Sequence, residues 1–254
     1  MKHFRWASPL CVVLIWELLS QVGLFPRFKI PAPSEIAIAA KNLFTVGLPL
    51  GYTLPYHAGY SLLRVFCGFL MACAIALPLG ILAGRYRWFN AAVDPIVEII
   101  RPIPPLAWLP VAILWFGIGM ESAMFIIFIG SFFPILLNTV LGIRLTDKVL
   151  VEAGLTLGAS EWQLIRKVLL PSALPSIVTG MRIGIDIGWM SVVAAEFTGI
   201  KSGYGLGYMI MTARDVHKSA AIFAGMIVIG LIGYSMDRMI FSMENRLIPW
   251  KKRV

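Results

Sequence analysis

The chain has 254 residues, 59% hydrophobic and 14% charged, with a net charge of +9 and a mean hydropathy of +0.83. Soluble domains carry about 25% charged residues, and a soluble globule of this size cannot hide so much apolar surface. That excludes a soluble enzyme, a disordered chain and a secreted disulfide scaffold, and leaves a multi-spanning membrane protein. The positive charge sits in short clusters between apolar runs, the pattern of cytoplasmic loops, and gives no reason to invoke nucleic acid. Cys11, Cys67 and Cys73 lie in apolar stretches and read as small hydrophobes.

Six apolar segments are long enough to cross a bilayer, which takes about 20 residues each. They cover about 7–24, 60–84, 91–117, 121–143, 173–197 and 219–241. The expected fold is therefore all-α and polytopic, with 1–254 forming a single transmembrane domain. Glu17 interrupts the first run and no small-residue cleavage site follows, so it reads as a retained span. With both termini on the cytoplasmic side, 13 of the 22 Lys and Arg fall inside and 6 outside. Arg64, Arg101 and Arg182 stay within or near spans. This bias sets the expected orientation.

The segment from about 25 to 59 is then external. Ser34 is expected to cap a short helix over 35–44, whose Ile36, Ala39, Ala40 and Leu43 form one apolar face suited to the membrane interface. The third span carries Pro102, Pro104 and Pro105 directly after Arg101, and then Pro110. Proline removes backbone donors, so this span should be broken, with Arg101 at the break able to attract an anion or to pair with Glu98.

Between the fourth and fifth spans, 147–171 is too polar to span and too long for a tight turn. Two short helices fit, about 148–157 and 161–169, with Gly158 ending the first and Ser160 capping the second. Pro171 then opens the next span.

Ionisable groups inside spans are expensive and point to function. In the fifth span Arg182, Asp186, Trp189 and Glu196 share one face, which should border a pathway. The other reading is an Arg182–Asp186 pair at i,i+4 with a structural role. Gly180, Gly184 and Gly188 share another face and allow close helix approach. The glycines of 202–210 suit a re-entrant or lid-like turn at the outer mouth. Trp108, Trp115, Trp162 and Trp250 read as packing or interface anchors. His3, His57 and His217 are scattered near loops and termini and read as solvated, with no metal or nucleophile–base grouping.

The loop residues Glu152, Ala153 and Gly154, then Gly158, Val168, Leu170 and Pro171, resemble the cytoplasmic loop of binding-protein-dependent ABC importer permeases. That family's pattern is Glu-Ala-Ala, three residues, Gly, nine residues, Ile, one residue, Leu-Pro. Spacing matches throughout, with Gly154 in place of Ala and Val168 in place of Ile. The stretches WELLSQVGLFPRFKIPAPSEI, RPIPPLAWLPVAILWFGIG and SVVAAEFTG are similar to the permeases for nitrate, sulfonates, taurine and bicarbonate. The stretches RPIPPLAWLP and GIDIGWMSVVAAE and the tail RLIPW look nearest to the taurine and sulfonate members.

The resemblance implies a type I importer fold in the cell inner membrane. It implies that the 147–171 hairpin docks into a cleft on a separate ATPase subunit, two of which belong to the assembly. A second permease copy, or a close relative of this chain, and an external solute-binding protein complete the expected assembly. No G-x-x-x-x-G-K-[ST] stretch is present, so no cofactor is expected in this chain, and ATP and Mg would be bound by the partner ATPase. The expected cargo is a small anion, sulfonates such as taurine first, then nitrate or bicarbonate. The competing class is an ATP-independent secondary transporter, which needs no such hairpin and often shows inverted repeats; none is visible.

Overall fold

A computed structural model describes residues 4–24, 26, 28–49, 51–197 and 203–247. Among the described residues the chain is helical, without strands. The helices are α1 (Phe4–Gln21), α2 (Pro33–Thr45), α3 (Leu54–Arg85), α4 (Arg87–Ile100), α5 (Leu109–Phe116) and α6 (Met120–Arg144). They continue as α7 (Lys148–Thr156), α8 (Glu161–Leu164), α9 (Leu170–Glu196), α10 (Leu206–Asp215) and α11 (Ser219–Leu247). Four helical stretches are long and apolar enough to cross a membrane: Leu54–Arg85, Met120–Arg144, Glu161–Glu196 and Ser219–Ser242. Taken together, α4 with the short turn Pro105–Trp108 and α5 are also apolar enough, as a broken span or a re-entrant loop, bent by 87° where the prolines remove backbone donors. The first expected span falls on α1, whose described apolar part, Cys11–Gln21, is shorter than a crossing. The chain divides into two compact units, Met1–Leu62 with Glu196–Ile232, and Leu63–Ala195 with Gly233–Val254.

In the first unit α2 packs against α1. Its N-terminus corrects the expected Ser34 cap. The helix starts at Pro33, a position where a missing N–H costs nothing, and Glu35 accepts from the Ala32 N–H at 3.2 Å. Ser34 instead turns to Glu17, donating through its N–H at 3.0 Å and its hydroxyl at 2.8 Å. Gln21 donates to the same carboxylate at 2.8 Å. The charge that interrupts the first apolar run is thus held by three hydrogen bonds. The apolar face of α2 is also reassigned. Ile36 and Leu43 are buried inside the unit, and Ile38 and Phe44 are left on the outside.

In the second unit α6 is the central helix. Ile126, Ile127, Ile135 and Leu136 are fully buried, and glycines bring both neighbours close. On α3, side chains at Gly68, Gly80 and Gly84 would strike Ile127, Thr139 and Ile143. On α9, the face of Gly180, Gly184 and Gly188 meets Asn138 and Ser131 of α6. Ser131 donates to the Gly184 carbonyl at 2.8 Å across that approach. The glycine face therefore serves packing within one chain, and it no longer supports contact between two copies. Gly180→Val places a branched carbon where Cβ already lies 2.8 Å from the Pro134 carbonyl. Backbone cannot yield as a side chain can, so a loss of about 1–3 kcal/mol is expected, read as a lowered unfolding midpoint in detergent.

Candidate functional site: a helical hairpin and the charges of the spans

Local chemistry builds the hairpin residue by residue. Asp147 caps α7, accepting from the Val149 N–H at 2.9 Å. Gly158 ends the arm with φ +77, and the Ala159 N–H closes onto the Gly154 carbonyl at 3.0 Å. Ser160 and Gln163 form a reciprocal capping box, at 3.3 Å and 2.9 Å. Asp147 is a cap that the loop's spacing did not single out.

The second arm departs from expectation. It does not stop before Pro171. Instead α8 passes through a π-turn, Ile165–Leu169, straight into α9, giving one helix of 36 residues. Proline lacks an N–H, and its ring presses on the carbonyl four residues earlier. The wider turn, in which the Leu170 N–H reaches the Ile165 carbonyl, makes room for Pro171 without breaking the helix. The second arm of the hairpin and a span are therefore one continuous helix.

The motif residues divide into two roles. Gly154 lets the arms approach, since a Cβ there would lie 3.0 Å from a Leu164 methyl. Leu164 is fully buried, and Leu169 joins Ile143, Ala173 and Ile177 in a core beneath the hairpin, with Leu170 packed against it. Val168 is half-buried, and Glu152, Ala153 and Pro171 are exposed. Arg85 pairs with Glu161 at 2.8 Å and fastens the second arm to the end of α3.

The tip is apolar and open. Leu157 is 87% exposed and Trp162 67%, and Val149, Leu150 and Leu155 along the first arm are also exposed. Trp162 is thus no packing anchor within the chain. Exposed apolar groups gathered in one place mark an interaction surface, for a protein or a membrane.

The charged positions of the spans separate in the structure. Arg101 is exposed at the bend and lines a cavity of about 290 Å³ with Pro105, Phe133, Pro134, Asn138 and Ile187. It makes no ion pair with Glu98. Arg182 does not pair with Asp186. It donates to both oxygens of Asp237 on α11, at 2.6 Å and 3.1 Å, with its guanidinium 5.5 Å from the Phe241 ring. Asp186 is half-buried. Trp189 is buried, and a Cβ added at Gly233 of α11 would lie 3.0 Å from its indole.

Glu196 is fully buried in the first unit. It accepts from Ser61 Oγ at 2.8 Å and from the Gly207 N–H at 2.8 Å. Ser61 Oγ in turn accepts from the Leu206 N–H at 2.9 Å. His57, also fully buried, corrects its expected solvation. Its Nδ1 accepts from the Gly205 N–H at 3.1 Å, so the proton sits on Nε2, facing the Leu48 carbonyl at 3.1 Å. His217 is exposed, and His3 lies outside the described residues. The 203–207 segment is thus latched at its backbone and opens α10, beyond the lid-like turn expected of it. Tyr204 packs on Tyr52, Tyr56 and Tyr60 at 4.9–5.1 Å between ring centres. The hydrogen bond with Tyr204 raises the Tyr52 phenol above its ordinary pKa. Among the described residues no three His, Cys, Asp or Glu gather as a metal site. Trp250 and Lys201 lie outside the described residues.

A side chain at Gly158 would meet open space, so only backbone strain opposes it. Gly158→Ala should cost about 1–2 kcal/mol of hairpin stability and Gly158→Asn less, because Asn visits this conformation more readily. The order Gly, Asn, Ala in partner affinity, measured by titration, checks this.

Comparison with known proteins follows the same lines. Residues 76–249 match the family described as binding-protein-dependent transport system inner membrane component. An ABC transporter permease protein of Methanocaldococcus jannaschii is 44% identical over 96% of this chain and 90% of its own length. The taurine transport system permease protein of Escherichia coli K12 is 34% identical over 100% and 96%. The inward-facing MetNI methionine ABC transporter has a chain of the same fold, with TM-score 0.66 at 22% identity, covering 79% of this chain and 98% of that one. A hairpin at the family's spacing, a bent third span and this likeness over nearly the whole length lead to one assignment: the chain belongs to the binding-protein-dependent ABC transport permeases.

Proposed function

We propose that this chain is the coupling subunit of an ATP-driven importer, with the 147–171 hairpin seated in a separate ATPase subunit on the cytoplasmic side. The observation that carries the reading is the open apolar tip at Leu157, in the turn, and Trp162, on a helix that runs unbroken into a span. Closure of two ATPase subunits on ATP and Mg would pull two hairpins together, and α9 would tilt with them, switching the spans between inward-open and outward-open states. A second copy of this chain completes the pathway, an external binding protein delivers solute, and both termini face the cytoplasm of the inner membrane.

The cargo we infer is a small anion, a sulfonate such as taurine ahead of nitrate or bicarbonate. Support comes from Arg101 at the mouth of its cavity and from the taurine relative. Arg101 and Asp186 are kept as pathway residues. Trp189 and Glu196, buried inside the chain, act by holding neighbouring elements in place.

The test is reconstitution in vesicles with ATPase and binding protein. Hydrolysis should be absent from the permease alone and stimulated by taurine-loaded binding protein, with uptake requiring ATP. Uptake that persists without any ATPase subunit would assign the chain to ATP-independent transport. Stimulation by nitrate or bicarbonate in place of taurine would reassign the cargo only.

A further inference from the structure

Two cavities in the second unit adjoin each other and have complementary chemistry. The larger, about 670 Å³, is lined by Arg85, Arg87, Arg144 and Lys148, together with Asn90 and Glu152. The smaller, about 200 Å³, is lined mostly by apolar groups, Val93, Val97, Leu137 and Val140 among them, and also by Asp94. Ala83, Asn90 and Arg144 line both, so the two are neighbours. Arg85 is committed to Glu161. Arg87, Arg144 and Lys148 make no ion pair among the described residues, and this is an unusual concentration of available cations in so apolar a chain.

Position narrows the ligand. Arg85 and Arg144 end two membrane-crossing helices, and Arg87 and Lys148 begin the next helices. The basic cavity therefore lies where hydrocarbon gives way to water. Trp88, 72% exposed beside Arg87, is the kind of side chain that settles at that boundary. Guanidinium groups match phosphate oxygens in geometry and charge. A free phosphate would use only the basic cavity. An apolar channel leading away from it, between α4 and α6, fits an acyl chain.

We propose that this bipartite cavity binds one anionic phospholipid, its phosphate against Arg87, Arg144 and Lys148 and one acyl chain along Val93, Val97 and Val140. Basic pockets between membrane helices recognise such headgroups. Lys148 is the first residue of α7, so the bound lipid braces the root of the hairpin at the membrane surface. The inference rests on the permease reading for the presence of a bilayer, and the lipid readout does not depend on transport.

The test is native mass spectrometry of the full chain assembled with its ATPase, offered phosphatidylglycerol and phosphatidylcholine in equal amounts. Phosphatidylglycerol should be retained at least tenfold over phosphatidylcholine. The Arg144→Gln, Lys148→Gln double variant should lose that preference while keeping the wild-type unfolding midpoint. Inorganic phosphate or the free glycerophosphoglycerol headgroup, in hundredfold excess, should displace less than half of the lipid. Equal retention of both lipids, or an unchanged preference in the folded double variant, would overturn the proposal. Full displacement by inorganic phosphate would assign the cavity to a free anion instead. Retention by the chain alone that vanishes on ATPase binding would assign the basic surface to that subunit. Failed ATPase assembly with intact lipid preference would defeat the coupling reading and leave this one standing.

Discussion

Replacing Gly205 with valine is expected to leave almost no folded protein. Gly205 has φ +134, a conformation costing other residues about 1–3 kcal/mol, and any Cβ there would collide with the Glu196 carboxylate. That carboxylate cannot retreat. It is fully buried and held by Ser61 and by the Gly207 N–H. Displacing it strips hydrogen bonds from a buried charge, which adds about 1–3 kcal/mol or more. With overpacking of about 1–3 kcal/mol, the total reaches a large part of the 5–15 kcal/mol that holds a typical domain together. Gly203→Ala is the control. Gly203 has φ +67, but among the described residues the nearest neighbour of a Cβ there would be the Tyr208 hydroxyl at 4.0 Å. Its loss should be confined to backbone strain. Size-exclusion profiles of the two variants in detergent separate collision from strain.

The second large effect is on assembly. Leu157→Asp with Trp162→Asp changes two exposed side chains, and substitutions of exposed side chains usually move stability by no more than about 0.5 kcal/mol. The unfolding midpoint of the permease alone should therefore hold. Buried aromatic anchors at interfaces are worth about 2 kcal/mol or more each, so affinity for the ATPase should fall at least about thirtyfold. Co-purification from membranes reads this directly. Recovery of wild-type amounts of ATPase with a correctly folded double variant would place the docking surface elsewhere.

What the sequence made legible follows from local rules. Apolar run length located four crossing helices and the bent pair but also marked α1, whose described apolar part is shorter than a crossing; prolines located the bend, and spacing located the hairpin with its Gly158 turn and Ser160 cap. These features depend on neighbours within a few residues. Most of the departures involve partners far apart in the chain. Arg182 shares a helix face with Asp186, yet it pairs with Asp237, 55 residues on. Glu196 meets Ser61 across 135 residues, and Arg85 meets Glu161 across 76. Periodicity identifies the bare face of Gly180, Gly184 and Gly188 without saying what approaches it, and the answer is α6. The continuous helix through Pro171 was hidden for a different reason. Proline is a sound stop signal unless a π-turn absorbs it, and no residue pattern announces that turn. Of the candidate site, the hairpin was readable because its chemistry is local, whereas the positions of Trp189 and Glu196 depended on tertiary packing.

The central claim is that the hairpin tip is seated in an ATPase subunit during transport. A photo-activatable side chain at Leu157, in the complex reconstituted in vesicles, tests it most directly. The account predicts a crosslink to the ATPase subunit whose yield changes when ATP and Mg are added. Crosslinking to lipid alone, with ATP-dependent uptake intact, would contradict it.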